Sequence, residues 1–402
     1  WRATDLRLDS NTTSSFDSRK PQIAADGNSV YVVWHDARNG GSDIFLNRSL
    51  DAGTTWLPND IRVNKGVAGI TFAVDPQVAA VGTHALVVWQ DRRNGSLDVF
   101  CNRTTTSGSS WSATDVRLDT TPTATTSIAP RIVLDGNLVG VVWQDHRNGT
   151  DAVYANWSLD LGATWLSSDR RLDTSAPGTT NATDPRIDID GSSLYVAWTD
   201  DRNGAGDVYC NYSLDSGQSW AASDVRLDTD TPGSSASIAP RIVATADTAW
   251  VTWQDDRSGF SEIHANIPFG MLPYGDGTPG SGGFVPRMQG NGQATLTGIV
   301  SLDVVDALGG APSAILIGFQ PRSKISLSFL GGTLLVNPIA SPQFPLFGTL
   351  DVPGAGNISI PIWLPTDPVF RGFNVNFQVV TVDAGSVFGW SMTNAVEMWI
   401  GD

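Results

Sequence analysis

The sequence predicts an all-β protein: a five-bladed β-propeller closed by an N-terminal outer strand, followed by a C-terminal β-sandwich domain. Three observations predict it. The segment Trp-x-Asp-x-Arg-(Asn/Ser)-Gly recurs at Trp34, Trp89, Trp143, Trp198 and Trp253, at intervals of 55, 54, 55 and 55 residues. A fixed period of this size marks a repeat architecture. Of 41 acidic residues only Glu262 and Glu397 are glutamates, and a preference for Asp suits turns rather than long helices. Finally, Trp1–Asp9 matches the end of a repeat, Trp111–Asp119, whereas the fifth repeat leaves the pattern after Asn266.

Each repeat reads as four short strands. The first follows a proline, as in Pro21-Gln22-Ile23 and its equivalents at Pro76, Pro130, Pro185 and Pro240. The second is apolar on both faces, as in Val30-Tyr31-Val32-Val33-Trp34, so it is expected between two neighbouring sheets. Asn39-Gly40 marks a tight turn before the third strand, Ile44–Asn47. A fourth strand alternates over Asp60–Asn64. Four strands per unit make a propeller blade. The N-terminal segment is expected to pair with Ile263–Asn266, supplying the strand the fifth blade lacks and leaving no free sheet edge.

The propeller therefore spans residues 1–267. Residues 268–292 are rich in Gly and Pro and read as a linker. Residues 293–402 carry few charges and several strand-like runs separated by turn residues, the pattern of a small β-sandwich.

Composition excludes some functions. The net charge of −16 argues against nucleic acid as a partner. No apolar run is long enough for a transmembrane helix, which needs about 18 residues or more. Residue 1 is Trp, and a cleaved secretion signal is the simplest cause, which points to a secreted or cell-surface bacterial protein. Cys101 and Cys210 occupy equivalent places on non-adjacent repeats, beyond disulfide reach, so both are expected as buried thiols.

Between strands three and four stands Ser-x-Asp-x-Gly-x-Thr-Trp, at Ser49–Trp56, at Ser158–Trp165 and, with Ser for Thr, at Ser213–Trp220. This segment resembles the Asp-box of sialidase-type propellers. The second repeat departs from it, with Thr106 in place of the Asp. The resemblance implies a structural role for Asp51, Asp160 and Asp215, each accepting hydrogen bonds from its own turn. The C-terminal region looks like the Gly-rich modules that follow repeat domains in secreted proteins of some environmental bacteria.

The residue after each inner-strand proline is Gln22, Gln77, Arg131, Arg186 and Arg241. Alternation puts all five on one side of their strands, facing the central channel. Three guanidiniums on consecutive blades suit a carboxylate, which arginine binds bidentately, so these five are the candidate ligand-binding residues. Sialidases also hold a substrate carboxylate with an arginine triad. However, their catalysis needs a tyrosine with a partner glutamate, and Glu262 here replaces a repeated Asp. Paired acids, such as Asp36 and Asp43, offer hard oxygens to structural calcium. No cofactor is otherwise required.

Nearly every propeller Asp sits at a repeated position, so the residues favour a secreted, non-catalytic binding or scaffolding propeller with a glycan or an extracellular protein as partner. The alternatives are a sialidase-like glycoside hydrolase and a structural component of a cell-surface or extracellular assembly.

Overall fold

A computed structural model describes residues 4–11, 16–120, 125–319, 322, 325–327 and 332–401. The chain divides into two compact units, Trp1–Thr245 with Ala249–Asn266, and Ala246–Thr248 with Ile267–Asp402. Among the described residues there is no α-helix, and no helix long and apolar enough to cross a membrane.

The first unit is a series of antiparallel sheets, one per repeat. Sheet 1 comprises β1 (Ser18–Asp26), β2 (Ser29–Asp36), β3 (Asp43–Ser49) and β4 (Ile61–Arg62). Sheet 2 holds β5 (Ala73–Val81), β6 (His84–Asp91), β7 (Asp98–Thr104) and β8 (Val116–Arg117). In sheet 3 are β9 (Ser127–Asp135), β10 (Leu138–Asp145), β11 (Ala152–Ser158) and β12 (Arg170–Arg171). Sheet 4 contains β13 (Ala182–Asp190), β14 (Ser193–Asp200), β15 (Asp207–Ser213) and β16 (Val225–Arg226). Sheet 5 has three strands, β17 (Ser237–Ala244), β18 (Ala249–Asp255) and β19 (Glu262–Asn266).

The sheets stack face to face, as the two-sided apolar second strands require. A forward face of Tyr31, Val33, Ile44 and Leu46 on sheet 1 packs against a back face of Ala85, Val87, Trp89 and Phe100 on sheet 2. The same pairing recurs from sheet 2 to 3, 3 to 4 and 4 to 5. Trp89, Trp143 and Trp198, on the back faces, are fully buried; each contributes about 2–3 kcal/mol of hydrophobic stabilisation. The first strands β1, β5, β9, β13 and β17 lie side by side in that order. This is a β-propeller arrangement, with the first strands innermost.

Closure differs from expectation. Residues 4–11 form no strand, and among the described residues β19 has no fourth strand beside it. The segment is instead held to sheet 1 by side-chain bonds: Asn47 Nδ2 donates to Leu8 O (3.0 Å), Ser18 Oγ to Asp9 (3.1 Å), and Ser10 N to Asp60 (2.8 Å). Such bonds fix position without building a backbone ladder. Residues 1–3 lie outside the described residues.

The second unit has two main sheets, joined by one core. In chain order its strands are β20 (Gly270–Tyr274), β21 (Arg287–Asn291), β22 (Ile299–Ala307), β23 (Pro312–Gly318), β24 (Ile325–Leu327), β25 (Gly332–Leu334), β26 (Gln343–Pro345), β27 (Gly356–Trp363), β28 (Asn374–Val382) and β29 (Trp390–Trp399). One sheet runs β20-β29-β28-β23-β26 and the other β21-β22-β27. Val300, Leu302 and Val304 from the smaller sheet share a cluster with Phe377, Val379 and Val396 from the larger. The stretch expected as a linker, 268–292, departs from expectation: it supplies β20 and β21, each paired into a sheet. Its Gly and Pro residues serve turns inside a folded unit.

Both cysteines are free and buried, and burial pushes their thiols well above the usual range.

Candidate functional site

The repeated charges build the frame. In sheet 1, Arg38 bridges Asp36 (2.8 Å) and Asp60 (2.8 Å). Arg93, Arg147 and Arg202 bridge their own pairs in sheets 2 to 4, and each stacks on an aromatic ring, Arg147 lying 3.8 Å from the centre of Tyr154. The Asp of each Trp-x-Asp is fully buried and accepts from the Arg backbone and, in sheets 2 to 5, from the Trp indole. In Asp145 these bonds outweigh burial and hold the carboxyl below its usual range. Buried carboxylates bridged in the same way to an arginine in sheet after sheet read as a structural frame.

The Asp-box residues are equally self-contained. Asp51 accepts from Thr55 N (2.7 Å), Thr55 Oγ1 (2.7 Å) and Ser49 Oγ (2.7 Å), which together hold its carboxyl at about 2. Asp160 and Asp215 repeat this pattern. Gly53, at φ 82°, takes the left-handed conformation the turn needs. Thr106 fills the place in sheet 2, its Oγ1 accepting from Ser110 N (3.0 Å).

Among the described residues, Asp207, Asp228 and Asp230 bring carboxylate oxygens together, and Arg226 bridges all three, at 3.0, 2.5 and 2.6 Å, as an ion-pair network. Burial still pushes the Asp228 carboxyl up to about 6.

The inner strands differ. Each is bulged just before its proline, shown by register breaks between Arg19 and Gln22, Val74 and Gln77, Thr183 and Arg186, and Ile238 and Arg241, with a matching break in sheet 3. The residue at the bulge is left-handed although it is not glycine: Lys20 (φ 51°), Asp75 (55°), Ala129 (54°), Asp184 (51°) and Ala239 (55°). Bulges re-aim side chains, and such backbone strain clusters at functional sites. These identities are not repeated. Two of the five are carboxylates, on sheets 2 and 4.

Around these bulges the five candidate ligand-binding residues share one register level: Gln22 opposite Val33, Gln77 opposite Val88, Arg131 opposite Val142, Arg186 opposite Ala197 and Arg241 opposite Thr252. Lys20, Gln22, Asp75, Gln77, Ala129 and Arg131 line one cavity of about 260 Å³. Asp75 pairs with the Lys20 ammonium. Asp184 pairs with Arg186 (2.7 Å) and faces Arg241 at 4.0 Å. Arg131 lies within the fields of both acids, but among the described residues no carboxylate closes an ion pair on it; its Nη1 donates to Pro130 O (2.8 Å). Burial, and then the charge of Arg131, push Arg186 down to about 10. Four cations against two carboxylates leave the channel with two positive charges in excess, inside a chain of net charge −16. Half-buried His35 stands in the field of Asp75 and Lys20, lowered from its ordinary range mainly by burial.

Besides the five residues expected from the sequence, this level carries Asp75 and Asp184, which stand one residue before their prolines in the run Lys, Asp, Ala, Asp, Ala. Glu262, by contrast, is the exposed end-of-strand partner of Asp255, as the repeat implies.

No protein-family model matches the sequence, and no curated protein is similar to it. Among solved structures the chain is similar to a thermostable family-43 glycoside hydrolase (11% identity, 65% of this chain and 92% of that chain, TM-score 0.37). It is also similar to the catalytic domain of a GH62 α-L-arabinofuranosidase from Coprinopsis cinerea (11%, 65% and 94%, TM-score 0.36). A third is a family 117 glycoside hydrolase from the marine bacterium Zobellia galactanivorans (13%, 65% and 88%, TM-score 0.35). The expectation of a non-catalytic binding or scaffolding propeller is corrected here. The three solved structures named above are glycoside hydrolases. Asp75 and Asp184 stand outside the repeated acid positions.

Proposed function

We propose that the protein is a glycoside hydrolase whose site is the channel of a five-bladed propeller, with the second unit a β-sandwich appended to it. The observation that carries this reading is the pair of acids, Asp75 and Asp184, at unrepeated, left-handed bulge positions around Arg131. Glycosidic cleavage uses two carboxyl groups, one protonating the leaving oxygen and one acting as base or nucleophile. Asp184, 2.7 Å from Arg186 and 4.0 Å from Arg241, takes the second role. Among the described residues Asp75 is paired with Lys20, whose side chain is 60% exposed, so the pair is weak. As the other bulge carboxylate, Asp75 is the candidate to protonate the leaving oxygen. The excess positive charge on Arg131, Arg186 and Arg241 suits a substrate with an acidic group, gripped bidentately beside the bond to be cut.

The test is release of reducing ends from a panel of neutral and carboxylated glycans by the whole chain. The reading expects turnover of a carboxylated member, lost in Asp184→Asn and weakened mainly through KM in Arg131→Met. Absence of turnover across the panel, or turnover unaffected by Asp184→Asn, counts against it.

A further inference from the structure

The loops entering sheets 2, 4 and 5 share one backbone. Each holds a left-handed glycine, Gly69 (φ 70°), Gly178 (75°) or Gly233 (68°). Each closes a tight turn there, Ile70 N donating to Val67 O (3.2 Å), Thr179 N to Ala176 O (3.3 Å) and Ser234 N to Thr231 O (3.0 Å). Each then ties back to the preceding sheet, Ala73 N donating to Ser42 O (2.9 Å), Ala182 N to Asp151 O (2.8 Å) and Ser237 N to Gly206 O (2.6 Å). The side chains differ. The two turn ends and the residue before the inner strand are Ala176, Thr179 and Asn181 at sheet 4, and Thr231, Ser234 and Ala236 at sheet 5. At sheet 2 they are Val67, Ile70 and Phe72, which are 65%, 79% and 47% exposed. Small and polar residues hold the same turn, so the loop fold does not call for apolar ones. Apolar side chains gathered on one exposed loop without a folding reason mark a contact surface.

A second break in the repeat falls at the same place. The residue between the Asp and the Arg of the Trp-x-Asp-x-Arg segment is Asp201 in sheet 4 and Asp256 in sheet 5. Each accepts from the loop backbone, from Asn181 N (2.7 Å) and Ala236 N (2.7 Å). In sheet 2 that residue is Arg92, and its guanidinium lies over the Phe72 ring, 5.5 Å from the centre. A carboxylate that ties down the loop backbone is replaced by a cation that steadies an aromatic ring.

We propose that Val67, Ile70 and Phe72 take an apolar alkyl or aryl group on the leaving side of the substrate, which makes that substrate a carboxylated sugar joined to an apolar aglycone. The proposal rests on the hydrolase reading above. The loop runs directly into the strand that carries Asp75: Phe72 stands three residues before it, at most about 11 Å of extended chain. Asp75 is the candidate to protonate the leaving oxygen, and Asp184 stands on sheet 4, so a group lying over this loop belongs to the leaving part. The occupant is apolar because Val67 and Ile70 offer a sugar neither a hydrogen bond nor a flat ring. Arg131, Arg186 and Arg241 remain for the carboxylate on the other side of the bond.

The test uses the full chain and two probes, methyl and octyl β-D-glucuronide, the octyl compound kept below its micellar concentration. Binding is measured by calorimetry in Asp184→Asn, so that no turnover interferes. The octyl compound is expected to bind at least about tenfold more tightly than the methyl one, the worth of about two buried methylenes. Ile70→Ser/Phe72→Ala, added to that chain, is expected to abolish the gain and leave methyl binding as it was. It installs the residues that the sheet 5 loop carries on the same backbone, so the loop should keep its fold. Equal affinity for the two probes, absent binding included, overturns the inference, as does a gain that survives the loop substitutions. Turnover is read separately, as release of octanol by the chain with Asp184 intact. A loop-dependent gain without release keeps the apolar site and counts against the hydrolase reading. Release that is indifferent to Ile70→Ser/Phe72→Ala keeps the hydrolase reading and overturns the apolar site.

Discussion

Two levels of the first unit carry charge and treat it differently. At the Trp-x-Asp level every sheet has the same acid and the same arginine, and in sheets 1 to 4 a second acid completes the group. At the bulge before the inner-strand proline, the same backbone conformation carries Lys20, Asp75, Ala129, Asp184 and Ala239. Repeated charge comes with repeated partners: each of these arginines is bridged to carboxylates of its own sheet. Unrepeated charge has no partner supplied by the repeat. It gathers around the channel as two acids and an excess of cations, and Arg131 and Arg186 are pushed down by burial. A repeat protein thus separates the residues that hold the fold from those free to act, and the separation is visible as a break in the pattern.

The contrast can be tested by substitution at each level. The largest effect is expected in the channel: Asp75→Asn should lower the rate of glycan cleavage by about 10²- to 10⁴-fold, the range for loss of a general acid, with the urea unfolding midpoint unmoved. At the repeated level the effect falls on stability. Asp145→Ala removes the acid bound by Arg147, Ser127 and the Trp143 indole and leaves the Arg147 guanidinium with Asp169 alone. Its cost should be about 3–5 kcal/mol in urea unfolding.

A smaller effect, dependent on pH, is expected at Asp228. Burial raises its carboxyl to about 6 in the folded chain, above the unfolded value of about 3.9. Between these values the unfolded chain ionises first, so this group's contribution favours folding below the unfolded value and is lost as pH rises toward 6. Asp228→Asn removes that loss. From pH 4 to pH 7, the stability difference between variant and parent should move toward the variant by on the order of 1–3 kcal/mol. A difference independent of pH would mean the carboxyl is not raised. The smallest effect is expected at Thr106→Asp, which restores the box acid to a turn already satisfied by the Thr hydroxyl. Its unfolding midpoint should shift by no more than about 1 kcal/mol.

Much of the fold was legible because periodicity is read directly from spacing. The five Trp-x-Asp segments located five second strands, and the two-sided apolar pattern foretold that sheets would stack on both sides of them. The Asp-box turns were legible because their hydrogen bonds are local, from Ser49 to Thr55. Three features were not. The pairing of 268–292 into sheets depends on β29 and β22, far along the chain, and Gly-rich composition says nothing about such partners. The bulge before each proline is a register property, invisible in residue type, so the aim of Asp75 and Asp184 into the channel could not be read. The state of the N-terminal segment depends on two faces brought together by the whole series of sheets.

The central claim is that unrepeated acids act and repeated acids hold. It is tested most directly by measuring glycan cleavage and thermal unfolding side by side in two variants of adjacent inner and second strands, Asp184→Asn and Asp200→Asn. Asp184→Asn should abolish cleavage and lower the melting temperature less than Asp200→Asn does, since the Asp184 side chain is 36% exposed and that of Asp200 fully buried. Asp200→Asn, which strips the acid gripped by Arg202 (2.6 Å), should lower the melting temperature by several degrees while the folded fraction retains its turnover. The account is contradicted if Asp184→Asn keeps full activity, or if it melts as early as Asp200→Asn.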